Sequence, residues 1–255
     1  VIELKTAGEI DAMREAGRVV AAVHAAVRER AAIGVTLHEL DQVARTVIEE
    51  AKAKSSFLGY HPSFGATPYP GVICTSVNGA MLHGLPTTYR LRDGDLISVD
   101  CAAHLDGWHA DGTVSFTVGH AREDDLKLVR AADEMLAAGI AAAVPGARMG
   151  DIGHAMSLVG RGAGYGVQND FAGHGIGREM HESPFVPNEG RPGRGLRLLP
   201  GLVIAIEPSL IAGGSDDYRM ADDGWTVVTA DGSRSAHVEH TVAVTQDGPV
   251  ILTLP

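Results

Sequence analysis

The sequence predicts an α+β fold, with helices covering one face of a mostly antiparallel sheet. Two observations carry that reading. A pair of amphipathic helices followed by β-rich runs occurs twice in the 255 residues, the second time 112 positions after the first. The β-rich runs are short, punctuated by Gly and Pro, and grouped apart from the helices instead of alternating with them.

The elements follow in chain order. Met13, Ala16, Val20, Val23 and Val27 recur at three- and four-residue steps, which predicts a helix over 8–30. Gly34 interrupts it. Thr36-Leu37-His38-Glu39 has the form of a capping box, in which the Thr hydroxyl accepts from the Glu39 N–H and the Glu side chain reaches back. A second helix follows with Leu40, Val43 and Val47 on one face. Residues 55–90 are rich in Pro, Gly and Ser, with Tyr60, Phe64 and Tyr69 interspersed, and read as a long functional loop. Gly94 to Asp100 is a turn, a strand and an acid. Asp106-Gly107 is a two-residue hairpin signal.

The design then returns. Val129, Leu136 and Ile140 mark a helix over 123–143, and Gly146 stands where Gly34 stood. Met149, Ile152, Ala155 and Val159 take the places of Leu37, Leu40, Val43 and Val47. Residues 183–200 read as a second long loop. Gly201 to Glu207 repeats the form of Gly94 to Asp100, with the acid again six residues after the glycine. The chain is expected to be one domain over 1–255, built of two pseudo-symmetric halves, roughly 1–118 and 119–255.

Composition bounds the function. Hydrophobic residues make up 45% and charged residues 21%, as in ordinary globular proteins. The net charge of −11 argues against broad binding to nucleic acid or an anionic membrane surface. No apolar run approaches 18 residues, and the N-terminus has no basic segment leading into an apolar one, so neither a membrane span nor a secretion signal is expected. Cys74 and Cys101 are too few for a disulfide framework. A cytoplasmic protein is the expectation.

Four acids stand out. With the turn at Asp106-Gly107, cross-strand partners have numbers summing to about 213, so Asp111 faces Ala102. Asp100 then lies diagonally from Asp111 on the same sheet face. Two carboxylates on a buried face require a proton or a cation between them. Glu207 ends the apolar run Leu202–Ile206, and Glu239 lies in another strand, where a lone carboxylate is costly. Clusters of this kind bind hard or borderline divalent ions, and bridging acids admit two ions about 3.5–4 Å apart. Among twelve histidines, His174 and His181 stand seven apart on a glycine-rich segment, and His83 lies in a loop. His24, His38 and His154 fall in helices and read as surface or packing residues. Cys74 and Cys101 read as buried thiols.

The strings Val99-Asp100, Asp106-Gly107-Trp108-His109-Ala110-Asp111, Gly173-His174-Gly175-Ile176-Gly177 with His181-Glu182, Ile206-Glu207-Pro208 and Val238-Glu239-His240-Thr241 together resemble the type I methionine aminopeptidases of peptidase family M24. The resemblance runs in order along essentially the whole chain. It implies the pita-bread (creatinase/aminopeptidase) fold, two pseudo-symmetric halves around a dinuclear metal centre. It implies Asp100, Asp111, His174, Glu207 and Glu239 as metal ligands, with Asp111 and Glu239 bridging. His83 and His181 match histidines at the scissile bond, and Glu207 is the implied proton shuttle. Tyr60, Tyr69, Cys74 and Trp225 match positions around the methionine pocket. Phe57, Met180 and an apparent insertion over 61–68 depart from the family pattern and bear on pocket shape.

The implied function is metal-dependent removal of N-terminal methionine from peptides and nascent chains with a small second residue. The cofactors are two divalent ions (Co, Mn, Fe or Zn), with a monovalent cation near the Asn78 and Ser235 carbonyls as a further family feature. The implied partner is a peptide or nascent-chain N-terminus, with at most a passing ribosome contact, and the chain is expected to be a monomer. An Xaa-Pro peptidase of the same fold is the nearer rival, although those usually carry a large additional N-terminal domain. A non-catalytic binding protein on this fold is the other, although such relatives typically lose metal ligands. Only 25 residues separate His181 from Glu207, too few for the helical insert of type II enzymes.

Overall fold

The structure, a computed structural model, describes residues 2–63, 65 and 67–255. Phe64 and Ala66, within the expected 61–68 insertion, lie outside the described residues.

Four helices form where apolar periodicity predicts them: α1 (Ala7–Arg30), α2 (Leu37–Glu50), α3 (Glu123–Ala142) and α4 (Met149–Gly162). Thr6–Glu9 and Thr36–Glu39 close capping boxes on α1 and α2, each cap worth about 1 kcal/mol. The repeat is in register to the residue. Leu37, Leu40, Asp41, Ala44 and Ile48 are buried on α2, and Met149, Ile152, Gly153, Met156 and Gly160, each 112 positions later, are buried on α4. Every buried residue of α3 likewise has a buried counterpart 112 positions earlier on α1. Gly34 and Gly146 turn the chain between helices with the same φ of 89°, a conformation that favours glycine. Val43 and Val47 are only half-buried, so the buried stripe of α2 is rotated from the predicted face toward Asp41.

The main sheet is antiparallel throughout. Its path runs Lys54–Ser55, Leu96–Leu105, Trp108–Thr117, Glu239–Thr245, Val203–Ile206, Gly173–Gly175 and Glu182–Val186. Cys74–Val77 and Gly248–Ile251 pair at its flanks. The hairpin turns at Asp106-Gly107 and places Asp111 opposite Ala102, as the sum rule requires. Residues 55–90, read as loop, contain the short strands Cys74–Val77 and Ala80–Leu82, and the strand Glu182–Val186 reaches into 183–200. Strands of three to five residues are too short to show a period.

The two faces of this sheet have different chemistry. On the outer face α1 and α2 pack Val20, Val23, Val27 and Leu40 on Val99, Cys101, Ala103 and Ala110. Further along, α3 and α4 pack Met135, Leu136, Ile152 and Met156 on Ile204, Ile206, Val242 and Val244. Because strand side chains alternate, Asp100, Ala102, Asp111 and Thr113 point to the inner face. No helix among the described residues is long and apolar enough to cross a membrane.

Candidate metal centre

Four adjacent strands of the sheet path bring Asp100, Asp111, Glu239 and Glu207 side by side, and the fifth adds His174. These five line one cavity of about 360 Å³ together with His83, His181, Tyr60, Tyr69, Cys74 and Trp225. Every residue singled out in the sequence for holding the divalent ions, for catalysis or for substrate contact therefore faces one space. Asn78 and Ser235 also meet, through Ser235 N–H donating to the Asn78 carbonyl at 3.0 Å.

The acids are fixed from behind. Thr113, in register with both Asp100 and Glu239, donates its hydroxyl to Glu239 Oε2 at 2.8 Å. Thr241 accepts from Asp111 N–H at 2.9 Å and donates to its carbonyl at 2.8 Å. His174 Nδ1 lies 2.8 Å from the Gly175 carbonyl. That oxygen can only accept, so the proton sits on Nδ1 and the Nε2 lone pair faces the acids. Nε2 lies 3.4 Å from Glu207 Oε1 and 3.8 Å from Asp111 Oδ2.

Burial pushes the Asp100 carboxyl well up, and the charges of Asp111 and Glu207 add to it. Burial raises Asp111 to about 6, against the opposing pull of His174. Glu239 is raised by burial and by Asp111 and Glu207. Glu207 behaves differently: burial pushes it up, but His237, His174 and His181 outweigh that and hold it low. Asp100 Oδ1, Asp111 Oδ1 and Glu239 Oε1 are buried with no hydrogen-bond partner among the described residues. Orphaned carboxylate oxygens converging beside an imidazole lone pair fit a divalent cation. Asp111, His174 and Glu239 each offer an atom within 4.8 Å of the others, and so do Glu207, His237 and Glu239.

His237 was not singled out in the sequence. Its signal was there: it lies two residues before Glu239, so strand alternation places both on one face. Thr113 and Thr241 carried a similar signal as neighbours of the acids on the inner face.

The rest of the cavity is apolar and aromatic. Phe57, Tyr69, Cys74, Met180 and Trp225 form one buried cluster, with Tyr69 edge-on to Phe57 at 6.1 Å and to Trp225 at 5.0 Å. Tyr69 donates its hydroxyl to the Ile73 and Gly84 carbonyls, and Trp225 Nε1–H donates to the Thr67 carbonyl. Two of the family departures, Phe57 and Met180, belong to this wall. Burial raises the Cys74 thiol well above its ordinary value, so it stays neutral. Tyr60 Oη is 3.1 Å from His181 Nδ1. The rings of His174 and His181 meet at 4.4 Å, and His83 stands edge-on to Phe171 at 5.5 Å. Burial pushes both His83 and His181 down to about 4.

Comparison with known proteins agrees with this geometry. Metallopeptidase family M24 matches residues 11–246. Methionine aminopeptidase 1 of Mycobacterium tuberculosis is 50% identical, covering 100% of this chain and 96% of that protein. The crystal structure of methionine aminopeptidase from Thermotoga maritima matches with a TM-score of 0.95 at 38% identity, covering 100% of both chains. A prolidase from Pyrococcus furiosus shares the fold at 21% identity, with a TM-score of 0.76 over 99% of this chain and 65% of that one.

Proposed function

The chain belongs to metallopeptidase family M24, has the pita-bread fold, uses divalent metal, and on that premise we propose that it is an aminopeptidase that removes N-terminal methionine. The observation that carries this reading is one cavity in which an acid–imidazole cluster adjoins an apolar, aromatic wall. The whole chain acts as one catalytic domain in which residues from both halves meet.

Asp100, Asp111, His174, Glu207 and Glu239 would hold two divalent ions (Co, Mn, Fe or Zn), with Asp111 and Glu239 between them. Such ions supply Lewis-acid polarisation of a carbonyl and acidify water near neutral pH. The chain's own groups do the rest. Glu207, held low chiefly by His237 and His174, accepts the proton of the attacking water and passes it to the leaving amine. Tyr60 O–H donating to His181 Nδ1 keeps the remaining ring proton on Nε2, where it donates to the developing oxyanion. His181 is neutral at pH 7 because burial depresses it, so it donates without adding positive charge beside the cations. His83 lies on the scissile amide side. The methionine side chain fills the space between Phe57, Tyr69, Cys74 and Trp225, where an unbranched thioether packs well against aromatic edges. A small second residue is preferred. The working compartment is the cytoplasm, and the partner is a free peptide or nascent-chain N-terminus.

Methionine release from Met-Ala-Ser, measured on metal-stripped protein with each divalent ion added in turn, tests this. Turnover restored by at least one ion is expected, with Met-Ala-Ser far ahead of Xaa-Pro peptides. A preference for Xaa-Pro would favour the prolidase-like reading. No hydrolysis with any ion would leave a binding protein.

A further inference from the structure

His237 stands just behind the metal centre. Its main chain is pinned on both sides: its N–H donates to Ser115 Oγ at 3.1 Å and Ser98 Oγ at 3.3 Å, and its carbonyl accepts from Ser115 Oγ at 2.6 Å. The side chain is 3% exposed, and its Nε2 is buried. That atom lies 3.3 Å from Glu207 Oε2. The other oxygen, Oε1, lies 3.4 Å from His174 Nε2. Glu207 thus stands between two imidazoles of unlike character. His174 turns a lone pair toward it, since its proton is committed to the Gly175 carbonyl. His237 can turn an N–H toward it. His237 is also absent from the cavity wall that Asp100, Asp111, His174, Glu207 and Glu239 line, so it backs Glu207 without facing substrate.

We propose that His237 is a positioning residue for Glu207: its Nε2–H donates to Oε2 and so turns Oε1 toward His174 and the divalent ion. An unsupported carboxylate could chelate through both oxygens or swing between neighbours. One held from behind presents a single oxygen to the ion.

This rests on the metal-centre reading. The test is calorimetric titration of the metal-stripped full chain with Co(II), with the visible absorption of bound Co(II) as a second readout. In His237→Leu, affinity should fall on the order of 10- to 100-fold and the absorption band should move. His237→Gln, whose amide can donate, should restore most of both. If the Leu protein does not fold, His237→Met supplies a non-donor that fills similar space. A folded non-donor variant with unchanged affinity and spectrum overturns the proposal. So does a Gln variant as weak as Leu, which would make His237 a direct ligand. If the unaltered protein binds no Co(II), the metal-centre reading itself fails, and this proposal with it.

Discussion

At one point the two helix pairs meet the same packing problem with opposite chemistry. Asp41 of α2 and Gly153 of α4 occupy equivalent positions, and both are buried against a long loop beside the cavity. Asp41 fills its position with charge. Its Oδ1 accepts from Val72 N–H at 2.7 Å and Ile73 N–H at 3.2 Å, and its Oδ2 pairs with Arg45 at 2.7 Å. Gly153 leaves its position empty, and the loop backbone comes down onto it: a Cβ there would sit 2.6 Å from the Glu189 carbonyl. At this position one loop is tethered by hydrogen bonds to a carboxylate, whereas the other rests its backbone on the helix and takes its hydrogen bonds to α4 elsewhere, Gly193 N–H donating to Asp151 Oδ1 at 2.7 Å and Arg161 Nε–H to Glu189 Oε1 at 2.8 Å. A repeated scaffold thus fixes where loops anchor but not how, and the manner of anchoring sets the consequence of change. The tethered loop carries Tyr69 and Cys74 of the apolar wall, so its anchor bears on substrate binding. The seated loop 187–194 carries no residue of the proposed catalytic set.

The tether should be the more costly to lose. Asp41→Ala leaves two backbone N–H groups without their acceptor and Arg45 with the Pro70 carbonyl in place of its carboxylate partner, and should destabilise the protein by about 3 kcal/mol in urea unfolding. It should also raise KM for Met-Ala-Ser more than it lowers kcat. Asp41→Asn, which keeps one acceptor, should recover part of both. Unchanged KM in the Ala variant would break the link between tether and pocket.

A second contrast lies between α1 and α3, where buried His24 has Leu136 as its counterpart. Burial, with His240 nearby, pushes the His24 imidazole down to about 4. The unfolded chain takes up that proton below its ordinary value near 6.5, whereas the folded one does so only near 4. The stability from neutral His24 is therefore fully present above pH 6.5 and is lost as pH falls toward 4, by up to about 3 kcal/mol. His24→Leu should flatten that part of the acid limb in thermal melts recorded from pH 7 to 4. An unaltered slope would mean that His24 does not set it.

The seated loop gives the smallest effect. Gly153→Ala should cost about 1–2 kcal/mol as the 189–190 backbone shifts, with kcat/KM for Met-Ala-Ser close to that of the unaltered chain. A large loss of activity would show that the 187–194 loop shapes the site after all.

The contrast between Asp41 and Gly153 also marks the limit of what the sequence made legible. Helix positions, the 112-residue register and the turn at Asp106-Gly107 rest on apolar periodicity and local turn chemistry, and these act within a few residues. The inward face of Asp100 and Asp111 follows from the hairpin register alone. Asp41 was hidden because a buried carboxylate looks like a solvent-facing one until its loop partners at 72 and 73 are placed. Its polarity also drew the predicted face of α2 toward Val43 and Val47. His237 is hard to read from the sequence because one histidine among twelve carries little weight until Glu207, thirty residues away in sequence, is placed 3.3 Å from it. The short strands within 55–90 form on distant partners: Cys74–Val77 on the edge the hairpin offers, with Cys74 pairing to Asp100, and Ala80–Leu82 on the strand Val227–Thr229.

The most direct measurement is divalent-ion content and methionine release on the same samples of unaltered protein, Asp111→Ala and His174→Ala, with circular dichroism confirming the fold. The unaltered chain should load ion and release methionine, and both variants should lose both. A folded variant that keeps full ion content and turnover would contradict an acid–imidazole metal centre at this cavity.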